Sequence, residues 1–155
     1  MNNCILTGIT LDDTTSFITW AQSILPWLNA TMRDVSEGIG TELQAMKERQ
    51  VRYTAYLGTL VELDSKAETY RKAALAEAID KYAGKYSPSL VAKVAEKDCS
   101  NETRVQQAIH RLITTTSDQL IAIASRLKFE KELFMNSGNG QSKGNHYEDM
   151  PFYQS

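Results

Sequence analysis

Residues 41–84, TELQAMKERQVRYTAYLGTLVELDSKAETYRKAALAEAIDKYAG, decide the fold. Leu43, Met46, Tyr53, Leu57 and Leu60 recur at helical spacing, and Tyr56, Leu60, Leu63, Ala67, Tyr70, Ala74 and Ala78 carry the pattern onward. An α-helix turns once in about 3.6 residues, so this spacing gathers the apolar side chains on one side. The polar positions between them alternate in sign, as solvated helix faces do. Thr41 and Gln44 have the spacing of a capping box, and Gly84 supplies a stop. At 1.5 Å per residue, about 43 residues span roughly 65 Å. A helix of that length needs a partner of similar length to cover its stripe. The seam mixes seven- and eleven-residue spacing, which favours a long, weakly supercoiled helix.

The partner lies further along the chain. Val105, Ile109, Leu112, Thr116, Leu120, Ile123, Leu127 and Phe134 form a second stripe, opened by Ser100 or Asn101 with Glu102 in the favourable first turn. The Thr114–Thr116 run lowers helix preference, yet the apolar period passes through it unbroken. Between the two stripes, Ser87 and Pro88 read as cap and first helical residue of a short helix ending near Asp98. Two long helices with so compact a connector fold back as an antiparallel hairpin.

Ahead of the hairpin, Asp13, Thr14 and Thr15 are suitable caps, and Phe17, Trp20, Ile24, Leu28 and Met32 mark an amphipathic helix. Pro26 predicts a kink or a break into two short helices, and Gly38 and Gly40 end the segment. This segment covers one end or side of the hairpin. After Asn136 the composition turns to Ser, Gly, Asn and Gln, too polar to offset the entropy of ordering. The expected architecture is therefore all-α and coiled-coil-like. It has an N-terminal arm (1–12), a helical domain (13–136) and a disordered tail (137–155) with an acidic, aromatic tip.

The chain has 155 residues with 17 basic and 19 acidic side chains, a net charge of −2. That balance fits neither a strongly basic nucleic-acid footprint nor an acidic DNA mimic. Cys4 and Cys99 lie far apart without CxxC spacing, so neither a disulfide framework nor a zinc knuckle is expected, and the default is a reducing compartment. The opening MNNCILTGITLDD lacks a basic leader, and no apolar run approaches the roughly 18 residues of a membrane span. A cytoplasmic protein without membrane attachment is expected, and the sequons at Asn29 and Asn101 are read as accidental.

Neither His110 nor His146 is accompanied by an HExxH pattern or paired carboxylates. GNGQSKG (138–144) has no strand before it, so it is not read as a phosphate loop. No enzymatic activity, cofactor, metal or small-molecule substrate is expected. Arg49, Arg52, Tyr53 and Tyr56 fall within about a third of the helix circumference, where cations could meet phosphates while rings stack on bases. The weightier alternative is that both tyrosines flank the core stripe and the arginines pair with nearby acids. Gly58 interrupts a good helix and marks a close approach by another helix, as in a dimer.

Two resemblances add to this reading. Over residues 41–135, the long charged helix, the connector and the terminal RLITTTSDQLIAIASRLKFEKEL resemble small helical proteins of bacteriophage and mobile-element recombination and replication modules. Glu148, Asp149, Met150, Pro151 and Phe152 resemble the acidic tip of bacterial single-stranded-DNA-binding proteins, which hangs from a Gly/Gln/Asn-rich linker and recruits replication and repair enzymes. In that family the phenylalanine is terminal, whereas Tyr153, Gln154 and Ser155 follow here. The resemblances imply a non-enzymatic accessory factor in DNA recombination or replication, or an inhibitor of a host factor. A protein partner and self-association are expected, with single-stranded nucleic acid as a candidate ligand. The alternative is a structural, oligomerising coiled-coil protein such as a scaffold or virion component.

Overall fold

The computed structural model describes residues 16–148, and their side chains as far as residue 137. These residues form four helices, α1 (Phe17–Ser36), α2 (Leu43–Tyr82), α3 (Pro88–Asp98) and α4 (Ser100–Glu148). The all-α class expected from periodicity is therefore the class found. The proposed N-terminal arm lies outside the described residues.

The long helices run antiparallel. Arg71 on α2 bonds Gln106 on α4 at 2.7 Å, and Asp64, further back on α2, meets His110, further along α4, at 2.6 Å. Tyr53, Leu60, Leu63 and Ala67 from α2 and Ile109, Leu112 and Ile123 from α4 form most of the buried core, and Trp20, Ile24 and Val35 complete it from α1. Burying each large aliphatic or aromatic side chain contributes about 1.5–3 kcal/mol, which offsets the ordering of two long helices. At the other end, Ala78, Ala95 and Cys99 form a small core whose short side chains let α3 lie close to α2.

Local chemistry sets the helix ends. Ser16, rather than the residues before it, caps α1, its hydroxyl accepting from the Thr19 N–H at 3.3 Å. Cys99 both closes α3 and opens α4. Its N–H bonds back to the Ala95 and Glu96 carbonyls, and its own carbonyl accepts from Thr103. Gly84 follows the end of α2 at φ 79°, a conformation costly for a residue with a Cβ.

Several expectations are corrected. Pro26 does not break α1, which continues through it for 20 residues. Pro26 and Gln22, the residue whose carbonyl loses its partner, both face solvent, so water can satisfy that carbonyl. The expected capping box does not form. Glu42 caps α2 without a side-chain bond, while Gln44 donates to Glu48. Gly58 faces open space, with nothing within 4 Å of a Cβ built there, so no helix of the same chain approaches it. Met32, read as a core residue, is exposed.

The threonine run is accommodated by hydrogen bonding. Thr114, Thr115 and Thr116 each donate a hydroxyl to the carbonyl four residues back, which satisfies even the buried Thr116 within the helix. The expected helix end near Asn136 is also corrected, because α4 runs on to Glu148. No proline lies between residues 100 and 148, and extending an existing helix costs far less than starting one. Of the tail motif, Glu148 closes α4, and Asp149, Met150, Pro151 and Phe152 lie outside the described residues.

α4 consequently outruns its partner. Leu43 lies 21 residues before Asp64, which places it level with about residue 131 of α4. Consistently, every residue from Lys131 to Ser137 is exposed. Beyond that level α4 projects by roughly 25 Å at 1.5 Å per residue.

Candidate functional site

Arg49, Arg52, Tyr53 and Tyr56 come together on α2, and three of them are organised by a fifth residue, Asp34 in the last turn of α1. The Asp34 carboxylate accepts from Arg52 Nε at 2.6 Å and Nη2 at 2.9 Å, and from the Tyr56 hydroxyl at 2.6 Å. The Tyr53 hydroxyl lies 3.0 Å from both the Asp34 and Gly38 carbonyls. Planar guanidinium matches carboxylate through two parallel N–H bonds, which fixes geometry as well as charge. The rings add packing, with Tyr53 stacked on Tyr56 at 6.0 Å and Trp27 edge-on to Tyr56 at 6.1 Å.

This cluster is electrostatically closed. Burial pushes the Asp34 carboxyl upward, but the bonds from Arg52 and Tyr56 and the charges of Arg52 and Arg49 outweigh it and hold the group below its ordinary 3.8. Burial, reinforced by the bond to Asp34 and its charge, pushes the Tyr56 phenol up to about 12. Burial also raises Tyr53, chiefly, with Asp34 adding to it. Both phenols therefore stay protonated and able to donate. Tyr53 is fully buried and its ring meets no solvent, so in this conformation it offers no face to a nucleic-acid base. Arg52 is committed to Asp34. Arg49 packs beside Gly40, where a Cβ would collide with its guanidinium, and its Nε is buried without a hydrogen-bond partner. Arg52, Tyr53 and Tyr56 clamp α1 to α2, and Arg49 lies against the turn between the two helices.

Other polar groups are more dispersed. His110 is exposed, and although its Nε2 is 2.6 Å from Asp64 Oδ1, that oxygen has no aligned hydrogen bond. The contact becomes an ion pair when the imidazole is protonated. The face around it, lined by Arg71, Glu96, Ser100, Thr103 and Arg104, is an open groove. Cys99 is buried, and burial, with Glu102 and Asp98 adding to it, raises its thiol pKa, which disfavours a nucleophilic thiolate. Among the described residues no three His, Cys, Asp or Glu side chains are grouped to hold a metal ion, and no helix is long and apolar enough to cross a membrane.

No protein-family model, curated protein or solved structure matches this chain.

The most distinctive surface is the outer face of α1. Ile18, Leu25 and Met32 are 66%, 53% and 57% exposed and follow one another at seven-residue intervals. Seven residues are close to two helical turns, so the three side chains line up about a third of a turn away from Trp20, Ile24, Thr31 and Val35. Arg33 and Asp34 are the only charged residues in the helix, and Asp34 is consumed by the clamp. A second exposed apolar region lies where α4 leaves the bundle, with Phe129, Leu133 and Met135 around half exposed and Phe134 at 81%. Scattered apolar residues are ordinary on a surface, whereas an aligned row on an almost uncharged helix has the form of a helix-docking face.

Proposed function

We propose that this protein is a non-enzymatic helical interaction protein of the accessory kind its sequence resembles, acting by laying a helix face against a partner protein. The observation that carries the reading is the Ile18–Leu25–Met32 row on α1. Amphipathic partner helices bind such rows through anchors spaced like these, and burying the anchors drives association. The fold holds the row rigidly. Trp20 and Ile24 seat the inner side of α1, about a third of a turn away, and the Asp34 clamp fixes its end. The cluster offered by the sequence as a nucleic-acid contact has the role of a support in this reading.

A structural, self-assembling protein is the second reading, and the exposed Phe129, Leu133, Phe134 and Met135 where α4 leaves the bundle favour it. Photo-crosslinking from α1 tests the docking face. A benzophenone side chain at Leu25 should give discrete protein adducts that Ile18→Glu removes, while the same group at the exposed Thr54 of α2 gives none. Equal labelling from both positions would contradict the reading. So would retention of single-stranded DNA that depends on Arg52 and Tyr53.

A further inference from the structure

We propose that the side of the α2–α4 hairpin opposite α1 binds a second copy of this chain, face to face and end for end, in a two-fold four-helix arrangement. The surface is a different one from the α1 row, and the inference goes beyond the reading given to that row.

Helix geometry locates the open side. Tyr56 and Tyr70 meet Trp27 and Phe17 of α1, so they mark the flank of α2 that α1 covers. Asp64 and Arg71 leave α2 about a quarter of a turn further round, and they meet His110 and Gln106 of α4 along the other flank. On that flank both helices lose their charges at the same level. From Gln50 to Val61 the only charged residue of α2 is Arg52, which is turned to Asp34 of α1. From Leu112 to Ser125 the only one of α4 is Asp118. By contrast, six of the eleven residues 62–72 and five of the seven residues 126–132 are charged. Because Asp64 lies level with His110, residues 50–61 run alongside residues 113–124. Helices that shed charge nearly all round are covered on more than their core side. Within the single chain, however, Val61 and Ile121 are 55% and 66% exposed.

The face is complementary to itself, and this names the occupant. Lys47, Thr54, Val61 and Glu68 follow at seven-residue intervals along α2, and Gln107, Thr114, Ile121 and Lys128 do so along α4. The midpoints of the two rows, beside Leu57 and Ser117, lie level to within about 1.5 Å, the rise of one residue. Turned end for end about that level, each row meets its own copy. Lys47 then faces Glu68 of the second copy, Gln107 faces Lys128, and Thr54 and Thr114 face Val61 and Ile121. Lys47 makes no ion pair among the described residues, and Glu68, which holds Lys72 at 3.1 Å, has the capacity to accept from both.

The area suits a specific pair. Each row spans about 32 Å at 1.5 Å per residue, and two adjoining helices are about 20 Å wide. The face therefore covers about 640 Å² per copy, or about 1,300 Å² counting both, within the range of specific interfaces. Charges are confined to its outer turns, where Lys47, Glu68 and Lys128 lie with the Asp64–His110 contact. Association consequently buries no lone charge at the centre of the face.

The test reads mass in the full chain. Wild type should have the mass of a dimer by light scattering and dissociate on dilution. Val61→Glu with Ile121→Glu should be monomeric at matched concentration, because carboxylates buried against an apolar face weaken the contact on the order of 100-fold or more. Both positions are exposed in the single chain, and an unchanged helical spectrum checks that the variant is folded. Lys47→Glu sets a carboxylate against Glu68 of the second copy at both ends and should weaken the dimer roughly tenfold, while adding Glu68→Lys to it should restore most of the loss. A benzophenone at Thr54 should give adducts of twice the chain mass at dimer concentrations. It should give none where the chain is dilute and monomeric, the condition in which Thr54 serves as the control for Leu25. A monomeric wild type overturns the inference, as does a Val61→Glu with Ile121→Glu variant that still dimerises. A Lys47→Glu dimer of unchanged strength, or one that Glu68→Lys fails to rescue, overturns the end-for-end arrangement. Adducts from Thr54 to another protein in place of the second copy overturn the choice of occupant. Leu25 reads the other side of the molecule, so its crosslinks stand or fall independently of these outcomes.

Discussion

The two sides of α1 are made differently. On the inner side, Trp20, Ile24, Thr31 and Val35 are buried, and Asp34 closes the helix onto α2 through Arg52 and Tyr56. On the outer side, Ile18, Leu25 and Met32 are held in a row with no neighbour in the described chain to cover them. One helix therefore buries its first face in the fold and leaves its second exposed, the face on which the proposed association rests. The comparison predicts that inner changes alter stability and outer changes alter partner capture.

The largest effect is expected at Trp20. Trp20→Ala should destabilise the fold by about 3–5 kcal/mol, the range for truncating a buried aromatic, read as a shift in the denaturant midpoint. The variant also loses the desolvation cost of the buried, unpartnered Trp20 indole N–H, which offsets only part of that. Wild-type stability in this variant would erase the contrast between the faces.

The clamp should come next. Asp34→Ala removes the acceptor of Arg52 and Tyr56, and because the Arg52 side chain is partly exposed the loss should be about 2 kcal/mol. The same groups set two pH limits. Asp34 is held below 3.8 when folded, so its contribution is present above that unfolded value and is lost as pH falls through the lowered one. Tyr56 is raised from 10.0 to about 12, so its contribution is complete below pH 10 and is lost as pH rises toward about 12. Thermal unfolding against pH should show both limits. Asp34→Asn should flatten the acid limb, and an identical acid limb in that variant would remove Asp34 from the account.

A smaller gain is expected at Gly58. It is helical, exposed and free of neighbours, so Gly58→Ala should stabilise the chain by about 0.4–1 kcal/mol through helix propensity and a less flexible unfolded state. A loss of stability in Gly58→Ala would instead contradict the open surroundings of that position. The smallest change in stability should come from Leu25→Glu, within about 0.5 kcal/mol for the folded monomer.

Much of the fold was legible because apolar period and helix punctuation are local properties. The α2 stripe, the Pro88 start of α3 and the long α4 stripe all follow from residues a few positions apart. What the sequence could not show was which neighbour each face meets. Met32 continues the apolar period of α1 but turns outward, since Val35 and Thr31 take the inner positions at that end. Gly58 suggested a close helix, but a missing side chain does not say whether solvent or protein fills the space.

The candidate site shows the same limit. Arg49, Arg52, Tyr53 and Tyr56 were found as a local cluster, and pairing of the arginines with acids was the weightier alternative. The acid itself, Asp34, lies 18 residues before Arg52 on another helix and could not be identified from spacing. Pro26 was over-read because the lost hydrogen bond and the ring's clash with the carbonyl four residues back can be absorbed where that carbonyl reaches water, as at the exposed Gln22. The α4 extension was missed because its Gly, Ser and Asn composition argues for disorder, while its freedom from proline allows a helix already formed to continue.

The central claim is that the outer face of α1 associates while the inner face folds. Its most direct test is photo-crosslinking from a benzophenone side chain at Leu25, with and without Ile18→Glu, beside unfolding curves for both. The expected result is discrete protein adducts that Ile18→Glu removes, with nearly equal unfolding of the two proteins. Equal labelling with and without Ile18→Glu would contradict it.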